Sequence, residues 1–333
     1  MGGTETGAPD LARDVVIVGA GPAGLAAAIA ARQRDLSAVV LEKGALVNSL
    51  LHYPVNMVFF TTPELLEIGG MPFVSPFEKP TRHEALRYYR RVTDAHQLDV
   101  RFDDTVTSLA RSTDGGFVVT SRSGKWRAPS VVLATGAYDV ANRIGVPGED
   151  LPHVSHYYRE PHPFYRRRVV IVGGKNSAAE SALDIFRNGG HVTIVHRGAA
   201  LGDSIKYWVK PDIENRIAEG SIAARFHTRV VEITPRDVLV EGPDGRASLP
   251  ADAVVLLTGY RSDTTLLRSI GAAIDDTQQA PLHDPETFET TVPNLFIAGA
   301  VIAGRQSGRI FIENGRFHGE VVIREIARRR SGT

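Results

Sequence analysis

Short, wholly apolar runs are separated along this chain by stretches of helical or alternating pattern, and the cycle occurs twice. Val15-Val16-Ile17-Val18-Gly19 recurs letter for letter as Val169-Val170-Ile171-Val172-Gly173. Val131-Val132-Leu133-Ala134-Thr135-Gly136 is answered, in the same order, by Val254-Val255-Leu256-Leu257-Thr258-Gly259. Apolar runs without polar interruption read as strands covered on both faces, as in a parallel sheet under helices. Buried strands alone would not share their glycine-bearing exits, so two copies of one structural unit are expected.

Each copy has the same plan. A helix is predicted over residues 22–34, with Pro22 in the first turn, where a missing N–H costs nothing. Its counterpart covers 177–188 and stops at Gly189-Gly190. Second buried strands follow at 38–41 and 191–195. Alternating strands come next, at 106–110 and 117–121 around Asp114-Gly115-Gly116, then at 230–234 and 238–241 before Pro243-Asp244-Gly245. This is βαβ with an inserted antiparallel layer. A last buried strand at 294–298 and a final helix to about 328 have no counterpart in the second copy, so they are expected to complete the first domain.

The expected fold class is therefore α/β, with two Rossmann-like dinucleotide-binding domains of three layers (ββα), the second inserted in the first. Residues 1–138 and 261–333 would form the first domain and 139–260 the second. The stretch 136–168, rich in Pro, His and Tyr, reads as a linker between the copies. A length of 333 residues fits roughly two domains.

The glycine-rich exits carry the chemistry. Gly19-Ala20-Gly21-Pro22-Ala23-Gly24 is a complete G-x-G-x-x-G between a predicted strand and helix. Its glycines permit a tight turn, close backbone approach to a pyrophosphate, and close packing of helix on strand. The helix N-terminus adds free N–H groups and a positive dipole end. Glu42 ends the second strand, where a carboxylate can accept hydrogen bonds from ribose hydroxyls. The second turn is Gly173-Gly174-Lys175-Asn176-Ser177-Ala178. It resembles a nucleoside-triphosphate loop through Gly174-Lys175. That reading fails because Asn176 stands where Ser or Thr must hold magnesium and Val169 where the first glycine belongs. His196 and Arg197 end the next strand, with no acid; cations there suit a 2′-phosphate and favour NADPH over NADH. Lys206 is a further candidate for that phosphate, and a solvated charged pair is the plainer alternative for His196 and Arg197. Two dinucleotide units on one chain suggest FAD on the first and NADPH on the second, with a hydride passing from nicotinamide to flavin.

Composition narrows this. There is no cysteine, which excludes a disulfide framework, a thiolate metal site and a thiol nucleophile. Lys+Arg and Asp+Glu are both 38, which argues against a broad nucleic-acid surface. No apolar run approaches the roughly 18 residues that span a bilayer. Residues 1–10 lack the charged-then-apolar order of a signal peptide and read as a floppy tail, so a cytoplasmic location is expected. His153, His156 and His162 cluster near the linker, but no carboxylate or fourth ligand at helical spacing supports a metal there. Arg328-Arg329-Arg330 reads as a solvated helix end that complements the macrodipole.

The chain resembles the low-molecular-weight thioredoxin-reductase-like flavoproteins over residues 15–327, and within them the bacillithiol disulfide reductase (YpdA-like) subgroup. The segments that carry the likeness are Tyr53-Pro54-Val55-Asn56-Met57 with Phe59-Phe60-Thr61-Thr62, Lys79-Pro80-Thr81-Arg82, the Gly173-to-Ala178 turn, Ser204-Ile205-Lys206-Tyr207-Trp208, and Phe311-Ile312-Glu313-Asn314-Gly315-Arg316-Phe317-His318-Gly319. The resemblance implies FAD contacts at Gly19, Gly21, Pro22, Ala23, Gly24, Glu42, Lys43 and Asn56. It puts Val106 near the adenine, Thr135 and Gly136 at the domain exit, and Gly299 near the pyrophosphate or ribityl chain. A final helix starting at Ile312 would aim its N–H groups at the flavin. For NADPH it implies Gly173, Gly174, Lys175, Asn176, Ser177, His196, Arg197, Lys206 and Gly259. Tyr53, Phe59 and Phe60 would wall the flavin ring or pack at a dimer contact. A homodimer or larger homo-oligomer is also implied.

Three positions depart from the family pattern. Ala300 replaces the Asp that follows the late glycine in the wider group. The stretch 156–160 holds no CxxC pair, and Ala23 stands where the subgroup carries a cysteine beside the flavin. The expected function is FAD-dependent NADPH oxidation with electrons passed to a low-molecular-weight (bacillithiol-type) disulfide without a cysteine relay. The alternatives are a ferredoxin-, flavodoxin- or quinone-type acceptor or oxygen, which the absence of a thiolate relay favours, or a slow flavin redox sensor.

Overall fold

The computed structural model describes residues 11–306 and 308–332, so the tail expected at 1–10 lies outside the described residues. The chain divides into two compact units. Among the described residues, one contains 11–52, Thr61–Val140 and those from Tyr260 on; the other contains Tyr53–Phe60 and Ala141–Gly259.

The first unit is built on a five-stranded parallel sheet. Its order is Leu295–Ile297, Ser130–Leu133, Val15–Val18, Ala38–Leu41, Val100–Arg101. Val15 to Val18 pair in parallel with Ser130 to Leu133 on one side and with Ala38 to Leu41 on the other. All four central residues are buried, which is why the run needs no polar alternation. The helix Pro22–Arg32 is alanine-rich, so a neighbouring helix, His318–Arg330, approaches it closely. A Cβ on Gly319 would lie 2.4 Å from the Ala27 amide nitrogen, so only glycine permits that crossing. The other face of the sheet packs on an antiparallel layer of Val106–Arg111, Phe117–Ser121 and Gly124–Ala128. Phe117 and Trp126 fill the space between the layers with Val16, Val18 and Leu133.

The second unit repeats this order as Val154–Ser155, Ala253–Leu256, Arg168–Val172, His191–Val195, Ala223–Arg225. Its helix Asn176–Arg187 follows the central strand, and its antiparallel layer is Arg229–Ile233, Asp237–Gly242 and Gly245–Pro250. The repetition extends to an irregularity. The register shifts between Val106 and Ser108 in the first layer and between Val230 and Glu232 in the second. A bulge at the same place in both copies is a feature of the shared plan.

Three sequence expectations are corrected. The stretch 136–168 is not only linker, because Val154–Ser155 forms the outer strand of the second sheet and pairs with Val254 and Val255. The late strand of the first unit thus has a positional counterpart, drawn from the chain before the second fingerprint. Two residues of strand among Pro, His and Tyr leave no periodicity to read. Finally, the last helix is not continuous from Ile312. A four-residue helix, Ile312–Gly315, ends before His318–Arg330 begins. Gly315 must lie close to the Gly299 Cα, Gly319 must press on Ala27, and Arg316 turns to the Glu64 and Glu67 carbonyls, each at 2.7 Å. One straight helix does not satisfy all three contacts.

Candidate nucleotide-binding turns

In the first unit the strand Val15–Val18 ends in a turn whose three glycines have different reasons to be glycine. Gly19 has φ +104°, and a Cβ there would meet the Ala134 carbonyl oxygen at 2.5 Å. Gly24 is where helix meets strand, and its Cβ would lie 2.0 Å from the Gly19 oxygen. Both are demanded by packing within the chain. Gly21 is not. It has ordinary extended backbone (φ −74°, ψ 174°), and a Cβ there would meet nothing within 4 Å. Its glycine leaves an open cradle at a helix N-terminus, the surface a diphosphate requires. The residues present therefore fit a dinucleotide.

Glu42 is 5% exposed. One carboxylate oxygen accepts the Ala20 N–H at 2.7 Å and the other the Gly44 N–H at 3.0 Å. Burial pushes this carboxyl above its usual range, and the two amides pull the other way. Its first task is thus to pin the turn through Ala20, a role the sequence pattern did not suggest. Lys43 pairs with Asp139 at 2.6 Å. The Val47 N–H donates to the Ala20 carbonyl at 3.2 Å from φ +48°, a region β-branched residues rarely enter. The helix after it, Asn48–His52, is held by Arg82, whose guanidinium donates to the Leu50 carbonyl at 2.9 Å and the Leu51 carbonyl at 2.6 Å. Such strain persists only where its surroundings over-determine it, and here it lies beside the turn.

Gly299, with φ +75°, closes the site from the late strand. Its Cβ would lie 2.7 Å from the Ala23 Cβ. Its N–H donates to His318 Nδ1 at 3.2 Å. His318 was missed as a functional residue, though it stands inside the Phe311-to-Gly319 string. Thr135 and Gly136 follow the strand Ser130–Leu133, and Gly136 has φ +77°, where a Cβ would meet only Ser49 Oγ, at 4.0 Å. Val106 opens the antiparallel layer beside its bulge and packs on the core. Ile312 begins only the short helix, so the expected long helix N-terminus is not there. Asn56 is not brought to this turn's unit. It belongs with Tyr53, Phe59 and Phe60 to the segment grouped with the second unit, where the Val55 N–H donates to the Arg159 carbonyl at 2.8 Å.

In the second unit both turn glycines are explained by the chain itself. A Cβ on Gly173 would lie 2.6 Å from the Leu257 oxygen, and one on Gly174 would lie 2.5 Å from the His196 ring. Lys175 and Ser177 are exposed at the helix start. Asn176 is fully occupied: its Nδ2 donates to the Ser204 carbonyl and its Oδ1 accepts the Lys206 N–H, both at 2.9 Å. The Gly202 N–H donates to the Gly174 carbonyl at 2.7 Å. Asn176 therefore latches the 202–206 loop to the turn. The Lys206 ammonium pairs with Glu180. Burial, and then the charge of Arg197, lower the His196 pKa. The exposed Arg197 thus stands beside an imidazole that is held toward its neutral form. Gly259 has φ +93°, and its carbonyl accepts the Asn142 N–H at 2.9 Å. His156 lies 3.4 Å from Glu149, and among the described residues no group of His, Asp or Glu could hold a metal.

A family model described as pyridine nucleotide-disulphide oxidoreductase matches residues 16–299. The chain belongs to this family. It is 40% identical over 315 residues to bacilliredoxin reductase Bdr of Bacillus subtilis, covering 94% of this chain and 97% of that one. The solved bacillithiol disulfide reductase Bdr (YpdA) from Bacillus cereus superposes with a TM-score of 0.92 at 38% identity, covering 96% of this chain and 99% of the other. A ferredoxin–NADP reductase of Ignicoccus hospitalis is 25% identical over 300 residues, 87% of this chain and 90% of its own. The YpdA-like resemblance and the thioredoxin-reductase-like fold read from the sequence are borne out. As a member of the family the chain is an FAD-dependent oxidoreductase that uses NADPH, and it carries no cysteine. Among the described residues, no helix is long and apolar enough to cross a membrane.

Proposed function

We propose that this protein oxidises NADPH and delivers the electrons directly from FAD to an external disulfide of the bacillithiol type. The carrying observation is a complete dinucleotide turn, with its open cradle at Gly21, on a chain without cysteine. Bound FAD supplies the hydride acceptor for the nicotinamide and the electrons for the second half-reaction. Gly19, Gly21, Ala23, Gly24 and Gly299 would hold it, with Glu42 fixing the turn. The second turn, with Lys175, Ser177 and Arg197, would hold NADPH. The chain's own groups bind, orient and exclude water; no side chain is needed to move a proton in the hydride step. The Bacillus cereus relative at 38% identity is named a bacillithiol disulfide reductase, which supports the disulfide. The balance is NADPH, a proton and RSSR giving NADP+ and two RSH.

A second reading is favoured by Ala23. A thiolate is the usual relay between a reduced flavin and a disulfide. Without one, a one-electron carrier such as ferredoxin, or a quinone, is the chemically simpler acceptor. Anaerobic reduction of the yellow holoprotein by NADPH, followed by reoxidation with bacillithiol disulfide, ferredoxin and quinones, tests both. Fastest reoxidation by the disulfide is expected. Preference for ferredoxin or quinone replaces the first reading with the second, and no bound flavin at all removes both.

A further inference from the structure

We propose that His318 is a positioning residue for the flavin, acting through the Gly299 peptide; this rests on the reading that the first turn holds FAD. Gly299 is the point where the late strand meets the turn. Its φ of +75° places it in left-handed backbone, and its Cα lies between Ala23 and Gly315, where a Cβ from Gly299 or Gly315 would come within 2.7 Å or 3.3 Å of the other side. A glycine so placed has many backbone states open to it, and its orientation needs a partner. The His318 Nδ1, at 3.2 Å, accepts its N–H.

The imidazole is held on one face by a ring, and its backbone is fixed by the residue that follows it. Gly319, the next residue, is pressed on Ala27 of the Pro22–Arg32 helix. Phe288 stacks on the ring, with centroids 4.2 Å apart and planes at 24°. The Phe288 ring stacks in turn on His283, whose Nδ1 lies 2.9 Å from the Pro281 carbonyl. Accepting at Nδ1 requires the proton on Nε2. Burial, with the charge of His283, pushes the His318 pKa down to about 4, so the acceptor persists across the neutral range. The ring thus transmits the placement of one helix to the peptide that faces Ala23. It does so by a bond that a merely space-filling residue would not make.

The test compares H318L, which removes the acceptor, with H318N, whose side-chain oxygen can stand near Nδ1. Both are purified as holoproteins. FAD dissociation constants and flavin reduction potentials are measured beside far-UV circular dichroism. H318L is expected to bind FAD at least tenfold more weakly, and H318N to recover to within about threefold of the parent. Equal FAD affinity and potential in H318L and the parent overturn the proposal, as does H318N being as weak as H318L. If H318L does not fold, the parent's imidazole nitrogen resonances decide: a bare, acceptor-type Nδ1 supports the proposal, and a protonated Nδ1 overturns it. A parent that binds no FAD removes the underlying reading instead, and that outcome is distinct.

Discussion

Gly21→Ala and Gly24→Ala separate what the fold needs from what a ligand needs, within one turn. At Gly21 the added methyl meets nothing within 4 Å, and the backbone already has a conformation any residue adopts. Replacing glycine by alanine at a helix N-cap costs about 0.5–1 kcal/mol, and the loss of unfolded-state freedom returns about 0.4–1 kcal/mol. The apoprotein should therefore keep its stability to within about 1 kcal/mol. The same methyl would stand in the cradle. If it displaces one or two amide–phosphate bonds at about 1.5–3 kcal/mol each, FAD affinity falls roughly tenfold or more. At Gly24 the order reverses. The methyl would lie 2.0 Å from the Gly19 oxygen, and overpacking of this kind typically costs about 1–3 kcal/mol. Urea unfolding of the apoproteins and FAD titration by fluorescence quenching read the two effects independently. The reasoning is refuted if Gly21→Ala loses more than about 2 kcal/mol of apoprotein stability, or if its FAD affinity stays within threefold of the parent.

Three further outcomes are expected. Burial and the neighbouring Arg197 hold His196 toward its neutral form in the free protein, and a bound 2′-phosphate favours its protonated form. The KM for NADPH should therefore fall as pH is lowered from 7.5 to 5.5, the KM for NADH should stay flat, and H196A should abolish the difference in steady-state assays. R197A should weaken NADPH roughly tenfold to 100-fold, the value of one charge-assisted contact, and leave NADH within twofold. N176A releases both ends of the latch on the 202–206 loop, so the KM for NADPH should rise about fivefold to tenfold with kcat unchanged in an acceptor-saturated assay.

The sheets were legible because their signal is local and repeated. Val15 to Val18 and Val169 to Val172 are buried in the centres of two sheets with the same strand order, and the predicted strands at 38–41 and 191–195 appear at those residues. What was not legible depends on contacts far apart in the chain. Val154–Ser155 is a strand only because Val254 and Val255 offer it an edge. The break before His318 exists because Gly315 and Gly319 must each meet a different partner. Of the site, the glycines could be read from the sequence, but the partners of Glu42, Lys43, Lys206 and Asn176 could not. Each of these polar groups points to another part of the chain. For His196 the residue type alone suggested a cation, and the ring's burial beside Gly174 shifts it toward the neutral form.

The two turns therefore offer a ligand different surfaces, although they share one βαβ plan. In the first, Gly19 and Gly24 are accounted for by the Ala134 and Gly19 carbonyls, and only Gly21 is left for something outside the chain. In the second, Gly173 is accounted for by the Leu257 carbonyl and Gly174 faces the His196 side chain, so neither leaves the open cradle seen at Gly21. If a dinucleotide binds there as proposed, the exposed Lys175, Ser177 and Arg197 and the helix N–H groups would recognise it, with Asn176 holding the loop. A backbone cradle binds a diphosphate whatever the pH, whereas a site built on one arginine and a neutral histidine gains affinity as pH falls. Flavin retention should accordingly be insensitive to mild acid while the affinity for NADPH is not. The asymmetry follows from which glycines the fold already explains.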